Sequence, residues 1–192
     1  PVERVDGRYD LVMANIRSSA VKKLLGEFKR VAENEPEKYQ QFIEQFNRPL
    51  KEGLYSDFAN RETLLELVRF KSTAVEGYTS LAEYKERMKD DQKAIYYITG
   101  EDEHTLHNSP LLEAYKKQDI EVLIMDDDID EIVVPSIGTY DETEMKSVNR
   151  AGTDEDLKTD EDEQKEKEIE PLLQKIQETL GERVKKVVAS KR

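Results

Sequence analysis

The chain has 192 residues, no cysteine, and 43 acidic against 30 basic residues, a net charge of −13. Without cysteine there are no disulfide scaffolds, thiol nucleophiles, zinc fingers or iron–sulfur centres, and so acidic a chain is a poor general binder of nucleic acid, whose phosphates repel it. No apolar run approaches the roughly 18 residues of a membrane span and no basic-then-apolar leader precedes the first helix, so no membrane partner is expected and a reducing, cytoplasmic compartment fits.

Val21, Leu24, Leu25, Phe28, Val31 and Ala32 recur at helical spacing and predict a helix from about Leu11 to Glu33. Pro36 stands where a second helix would place its first residue, and Tyr39, Phe42, Ile43 and Phe46 carry that helix to Pro49. The aromatic stripe Tyr39, Phe42 and Phe46 reads as core. Asn60 is placed to cap a third helix bearing Leu64, Leu65, Leu67 and Val68. Ser80 and Glu83 form a capping box for a short helix ending near Met88.

The period then changes. Ala94–Thr99 is a β-type run closed by Gly100, Ser109-Pro110 opens a helix through Lys117, and Ile120–Met125 is a second strand. Strand, helix, strand in so short a span is a βαβ unit with parallel strands. Residues 128–140 are expected to form one irregular helix, interrupted by Pro135 and Gly138. Residues 149–168 lack an apolar period and read as a flexible linker. Ile169, Leu172, Leu173, Ile176 and Leu180 resume a helix that Gly181 stops, and Val184, Val187 and Val188 begin a strand that the chain end cuts short, as in a piece of a longer protein. The fold class expected is α/β (α+β).

The charge is local. Residues 121–131 hold six acids and no base, and residues 154–170 hold ten acids and three lysines, so the rest of the chain is neutral overall.

The motifs carry little chemistry by themselves. The turn Thr99-Gly100 sits where open α/β sheets bind phosphate, but it has one glycine and three acids follow. Asp126, Asp128 and Asp130 have the start of a calcium-loop spacing without its glycine and final glutamate. His104 and His107 lack the further ligands a zinc site needs. No metal is expected. The segment Ile129–Tyr140 is an apolar strip with an acidic edge, a pattern that serves either core packing or contact with other proteins.

Kinship is carried by residues 79–100. The string Thr79-Ser-Leu-Ala-Glu-Tyr-Lys-Glu-Arg-Met88, then Gln92, then Ile95-Tyr-Tyr-Ile-Thr-Gly100, closely resembles a signature of the ninety-kilodalton heat-shock chaperones. Matches flank it at family intervals: Ile16-Arg17, Val21-Lys-Lys23, Lys51-Glu-Gly53, Asn60, Leu67-Val-Arg69 and Ser72-Thr73 before it, then Ser109-Pro110, Glu121-Val-Leu123, Ile129-Asp-Glu131, Leu180-Gly181 and Val184 after it. Lys51-Glu-Gly53 and Asp57-Phe-Ala-Asn60 look most like the family's bacterial form.

The resemblance implies a fragment of an ATP-dependent molecular chaperone. Residues 1–67 would be the helical end of the larger middle-domain layer and its three-helix coil, and 68–148 the small α/β/α part. Residues 149–168 would be the acidic linker, and 169–192 the first helix and strand of a truncated α+β dimerisation domain. ATP and Mg would bind an amino-terminal domain outside this chain, so the fragment is expected to hold no cofactor and no autonomous chemistry. Its implied partners are unfolded or partly folded clients, its own amino-terminal ATPase domain and, in the full-length protein, a second copy.

Two sites carry over. Counting back from Ile16-Arg17 aligns Arg4 with the catalytic-loop arginine that reaches the ATP γ-phosphate, and Arg8 with a glutamine four residues later; a fixed cation there offsets charge on the transferred phosphoryl group. Bacterial relatives contact clients through Glu, Trp and Asn at positions matching Glu131, Ile132 and Pro135, so here the acid is kept and the aromatic becomes aliphatic. Two rival readings are an α/β enzyme domain binding a phosphorylated ligand at the turn after Thr99, and a helical interaction scaffold whose partner takes the 154–170 acidic run.

Overall fold

The computed structural model describes residues 3–150, with side chains from Tyr9 onward, together with Leu157 and helical residues 169, 171–173 and 175–179. Helix α1 spans Glu3–Asn34, eight residues longer at its start than the apolar stripe predicts. Only its last third meets a core: Leu25 is buried and Phe28, Val31 and Ala32 pack beside it, whereas Tyr9, Leu11, Val12 and Ile16 are exposed.

Helix α2 spans Pro36–Ser56 and runs through Pro49, where the sequence pattern predicts a stop. Tyr39, Ile43, Asn47, Leu50, Lys51 and Leu54 are buried along one face, and that face continues past the proline. Pro49 and Gln45, whose carbonyl loses its hydrogen-bond donor, are both exposed, so the break falls on the solvent side of the helix rather than in the core. The aromatic stripe is graded rather than wholly core: Tyr39 is buried, Phe42 partly buried, and Phe46 48% exposed at the end of a stacked row.

A 3₁₀ turn, Phe58–Asn60, leads directly into α3, Arg61–Leu67. Asn60 stands at the N-cap, but its amide donates to Asp57 Oδ2 (2.7 Å) and no side-chain oxygen caps the helix, because the turn ahead of it already occupies that geometry. Buried groups of α2 secure the exit from α3. Tyr39 Oη donates to the Leu67 carbonyl (2.6 Å), and Asn47 donates to the Arg69 carbonyl (2.7 Å) while accepting from the Arg69 N–H (3.0 Å).

The sheet has five strands: β1 (Lys71–Ser72), β2 (Ala94–Thr99), β3 (Val122–Met125), β4 (Thr139–Tyr140) and β5 (Thr143–Ser147), in the order β1-β3-β2-β5-β4. The central β2 pairs parallel with β3 (Tyr96 opposite Val122) and with β5 (Ile95 opposite Met145), while β1 and β4 close the edges antiparallel. Both faces of β2 are covered, which explains its unbroken apolar run. Ile95 and Tyr97 join the core with α1–α3, and Ala94, Tyr96 and Ile98 join a second core on the other face. The first face also carries α4 (Leu81–Arg87) and α7 (Asp130–Ile137); the second carries α5 (Glu103–His107), a 3₁₀ turn (Pro110–Leu112) and α6 (Glu113–Lys117). The result is an α/β/α sandwich set against helices.

The β2–helix–β3 unit and the capped α4 appear where the sequence places them. Ser80 Oγ accepts from the Glu83 N–H (3.1 Å) and Glu83 Oε2 from the Ser80 N–H (2.7 Å). The hairpin β4–β5 does not appear in the sequence reading, which extends one irregular helix to Tyr140. Its two-residue turn uses Asp141 (φ 44°) and Glu142 (φ 63°), left-handed conformations without the usual glycine or asparagine signal. The helix itself ends at Ile137, with Gly138 (φ 70°) as the break.

Leu157 falls within the expected linker, yet it is buried in the second core and its carbonyl accepts from Gln118 Nε2. The other residues of 151–168 and the expected strand near Val184 lie outside the described residues. The helix expected from Ile169 is present at the residues described there.

Candidate functional site

Helix α7 puts the expected client-contact residues on one exposed arc. Asp130, Val133, Val134 and Ile137 are buried, at spacing i, i+3, i+4 and i+7. At ~100° per residue the opposite arc belongs to Glu131, Pro135 and Ile132. All three are exposed, Ile132 by 57%. Pro135 has no N–H, so the Glu131 carbonyl has no i+4 donor, and both residues are exposed, which keeps that carbonyl out of the core.

Three ties hold α7 and the residues just before it against α2 and α3. Arg48 Nη1 lies 2.7 Å from Asp128 Oδ1 at the surface. Below it, Lys51 Nζ bridges Asp127 Oδ2 (2.6 Å) and Asp130 Oδ2 (2.8 Å), with the lysine 3% and Asp130 0% exposed. The Lys51 ammonium also stands 5.1 Å from the Phe70 ring centroid. Burial pushes the Asp130 carboxyl above its ordinary value, and the lysine opposes that rise. Asp130 Oδ2 further accepts from the Asp127 N–H (3.3 Å), while its buried Oδ1 takes no hydrogen bond. At the far end, Arg61 donates to the Ser136 carbonyl, and its guanidinium lies 5.9 Å from the Phe58 ring centroid.

These ties were not apparent as a site from the sequence. The signal was present, however: Lys51 and Asp130 each occupy a buried stripe otherwise apolar or neutral, and opposite charges on two such stripes point to a buried ion pair.

The other sequence candidates have separate employments. Asp126 binds Lys71 (2.6 Å), Asp128 binds Arg48, and Asp130 binds Lys51, so the three aspartates of the calcium-like spacing diverge to three cations. Among the described residues no cluster of His, Asp and Glu could hold a metal ion. His107 lies 3.8 Å from Glu103, and His104 is exposed. At the turn after Thr99, a Cβ on Gly100 would come within 2.8 Å of Leu106 Cδ2, so the glycine serves close packing of α5 on the strand. Beside it, Lys71 lines a cleft of about 330 Å³ and is engaged by both Glu103 and Asp126. Arg4 and Arg8 lie on the first turns of α1.

The kinship signature is structural. The buried Tyr84 hydroxyl donates to the Glu121 carbonyl (2.7 Å) and accepts from the Tyr96 N–H (3.1 Å) and Gln92 Nε2 (2.9 Å), and burial raises its pKa. Three signature positions are thus joined at one oxygen, fixing α4 on the sheet.

Comparison with known proteins agrees with this architecture. The family model described as Hsp90 protein matches residues 8–192. A Treponema denticola protein named Chaperone protein HtpG is 58% identical over 189 residues, covering 94% of this chain and 30% of that protein. The protein of the same name from Aliarcobacter butzleri is 49% identical, covering 94% and 29%. The chain therefore spans about 30% of the length of these relatives. Among solved structures, the middle domain of a Plasmodium falciparum heat shock protein superposes with a TM-score of 0.67 at 36% identity, over 72% of this chain and 58% of that one. With the signature joined at Tyr84 and the sheet order described above, the chain belongs to the Hsp90 protein family.

Proposed function

We propose that the chain is part of an ATP-dependent molecular chaperone and that this part contacts client proteins and couples the domains on either side. The observation that carries the client reading is Ile132, 57% exposed on a helix whose other large aliphatic residues are buried, with Glu131 and Pro135 beside it. An apolar side chain at an acidic edge suits weak contact with many partly folded chains. Nucleotide and Mg would bind an amino-terminal domain outside the chain, a second copy would pair through a carboxyl-terminal domain, and the cytoplasm would be the place of action. By alignment with the family, Arg4 would approach the nucleotide from this side. The segment boundaries near residues 67, 148 and 168 are part of the same proposal.

The phosphate-site alternative is not favoured, because Leu106 closes the turn at Gly100 and Lys71 is already held by two carboxylates. The test of the client reading is to introduce Ile132→Asp and Glu131→Lys into the full-length protein. Association with a labelled unfolded client, read by fluorescence anisotropy, should weaken in both variants. Unchanged association would remove the assignment.

A further inference from the structure

One leucine interrupts the acidic segment that follows the sheet. Between Val148 and Ile169 the only large apolar residue in the sequence is Leu157, with Asp154-Glu155-Asp156 before it and Asp160-Glu161-Asp162 soon after. Leu157 is nevertheless only 7% exposed, and it belongs to the second core with Ala94, Tyr96, Leu112 and Tyr115. Its carbonyl accepts from Gln118 Nε2, at the end of α6. Side chain and backbone are thus held by two different groups of the same unit.

The chain has an earlier fixed point at the far end of the sheet. Asn149 pairs with the backbone of Thr99, the last residue of β2: its Oδ1 accepts from the Thr99 N–H (2.9 Å) and its Nδ2 donates to the Thr99 carbonyl (3.0 Å). Gln118 stands at the opposite end, ahead of β3, which runs parallel to β2. Its own carbonyl accepts from Lys89 (2.6 Å), which precedes β2. A strand of six residues is ~20 Å long, and the eight steps from Asn149 to Leu157 reach at most ~28 Å. The connection is therefore long enough to return along the sheet, with little to spare.

We infer that Leu157 anchors a releasable dock for the acidic segment on the second face of the small sheet, and that this dock sets the length of the tether to the helix at Ile169. The occupant is the chain's own segment, already seated there at Leu157. The hold is narrow: one apolar side chain and one hydrogen bond oppose the cost of ordering the chain between the two fixed points, and the charged neighbours of Leu157 gain nothing from burial. With Leu157 seated, the chain from there to Ile169 extends at most ~43 Å; released, the chain from Arg150 to Ile169 extends at most ~68 Å. Seating shortens the tether and so raises the effective concentration of one neighbour at the other. The inference rests on the reading of this part as a coupler of the domains on either side, and it names the element that adjusts the coupling.

The experiment uses the full-length protein under native conditions. Tryptic cleavage after Lys158, which adjoins the anchor, is compared by mass spectrometry with cleavage after Lys165, which lies beyond it. The ratio of the two rates reports the dock separately from global stability. Leu157→Ser should raise that ratio about fivefold or more and Gln118→Ala about two- to threefold, whereas Leu157→Met should stay within about twofold of the unaltered protein. Amides 95–98 of β2 should remain protected from hydrogen exchange in Leu157→Ser, because the dock opens without the sheet.

An unchanged ratio in Leu157→Ser overturns the dock. Protection lost at β2 in step with faster cleavage overturns its release as a separate event and leaves Leu157 an ordinary member of the core. ATP turnover by the same variants tests the coupling independently. A raised ratio with turnover altered about twofold or more supports both the dock and the coupling; a raised ratio with unchanged turnover keeps the dock and refutes its part in coupling.

Discussion

Replacing Lys51 by methionine tests the α2–α7 seam most directly. Methionine matches the lysine stem in length, so the change removes the charge while keeping most of the packing. Lys51 Nζ lies 2.6 Å from Asp127 and 2.8 Å from Asp130, with the lysine 3% and Asp130 0% exposed. Asp127 is 36% exposed and can rehydrate. Asp130 cannot: without the lysine it retains only the 3.3 Å bond from the Asp127 N–H, and its Oδ1 already has no partner. Removing one partner of such a buried pair costs ~3–5 kcal/mol. At roughly 2–4 °C per kcal/mol for a domain of this size, the thermal midpoint should fall by about 6–20 °C.

The pH dependence gives the second reading of the same variant. Burial is the largest influence on Asp130 and raises its pKa above 3.8, against the opposition of Lys51. Loss of the lysine lets it rise further. A carboxyl whose folded pKa lies above its unfolded value adds stability at pH below the unfolded value and loses it as pH rises through the folded value. The deficit of Lys51→Met relative to the unaltered protein should therefore shrink as pH falls from neutrality through the raised value in the variant. Adding Asp130→Asn removes the stranded charge and should restore roughly half of the loss near neutral pH. Urea denaturation followed by circular dichroism at several pH values measures all three. A deficit under about 1 kcal/mol, or one independent of pH, would refute the assignment of a buried ion pair and place Lys51 among ordinary surface lysines.

Three further outcomes follow from the same geometry. Tyr84→Phe removes an oxygen that joins Glu121, Gln92 and Tyr96, leaves the Tyr96 N–H without its 3.1 Å acceptor, and should cost ~1–3 kcal/mol in urea denaturation; a loss within error would show that the signature tyrosine acts through packing alone. Asn47→Ala strands the Arg69 N–H and carbonyl where α3 leaves for the sheet and should cost a similar ~1–3 kcal/mol, with hydrogen exchange at the Arg69 amide accelerating; unchanged exchange would contradict the clamp. Burial tends to raise the Glu83 carboxyl, but bonds from the Ser80 N–H and the Ser80 and Thr79 hydroxyls outweigh it and hold the pKa below 4.5. Because its folded pKa is depressed, its stability is present above the unfolded value and lost as pH falls through the folded one. The advantage of the unaltered protein over Glu83→Gln, about 1 kcal/mol near neutrality, should vanish in acid, and an advantage that persists there would argue against an ionised cap.

Much of the fold is local, and such parts are legible along the chain. The capping box at Ser80 and Glu83 needs residues three apart, and the structure forms it. The run Ala94–Thr99 is apolar at every buried position because helices cover both faces of the strand. Pro36 at the start of α2 needs no partner to act as a helix opener. The β4–β5 hairpin was illegible because Glu142 adopts positive φ where glycine or asparagine would announce the turn, and β5 is held by its pairing with β2 across some fifty residues of chain.

The candidate site divides in the same way. The sequence alone carried the family signature, the acidic segment 121–131 and the apolar strip that follows it. It could not say which of those apolar residues face outward, since Ile132, Val133 and Val134 are equivalent as letters. Packing against α2 decided that, by burying Val133 and Val134 and leaving Ile132 in solvent. Nor could it pair Lys51 with Asp130, 79 residues apart, or bring Phe58 beside Ser136 through Arg61. Helix periods, caps and turns are set by neighbours within a few positions and are written in the chain. Charges that meet in a buried seam, and the exposed arc left beside them, exist only once distant helices have packed.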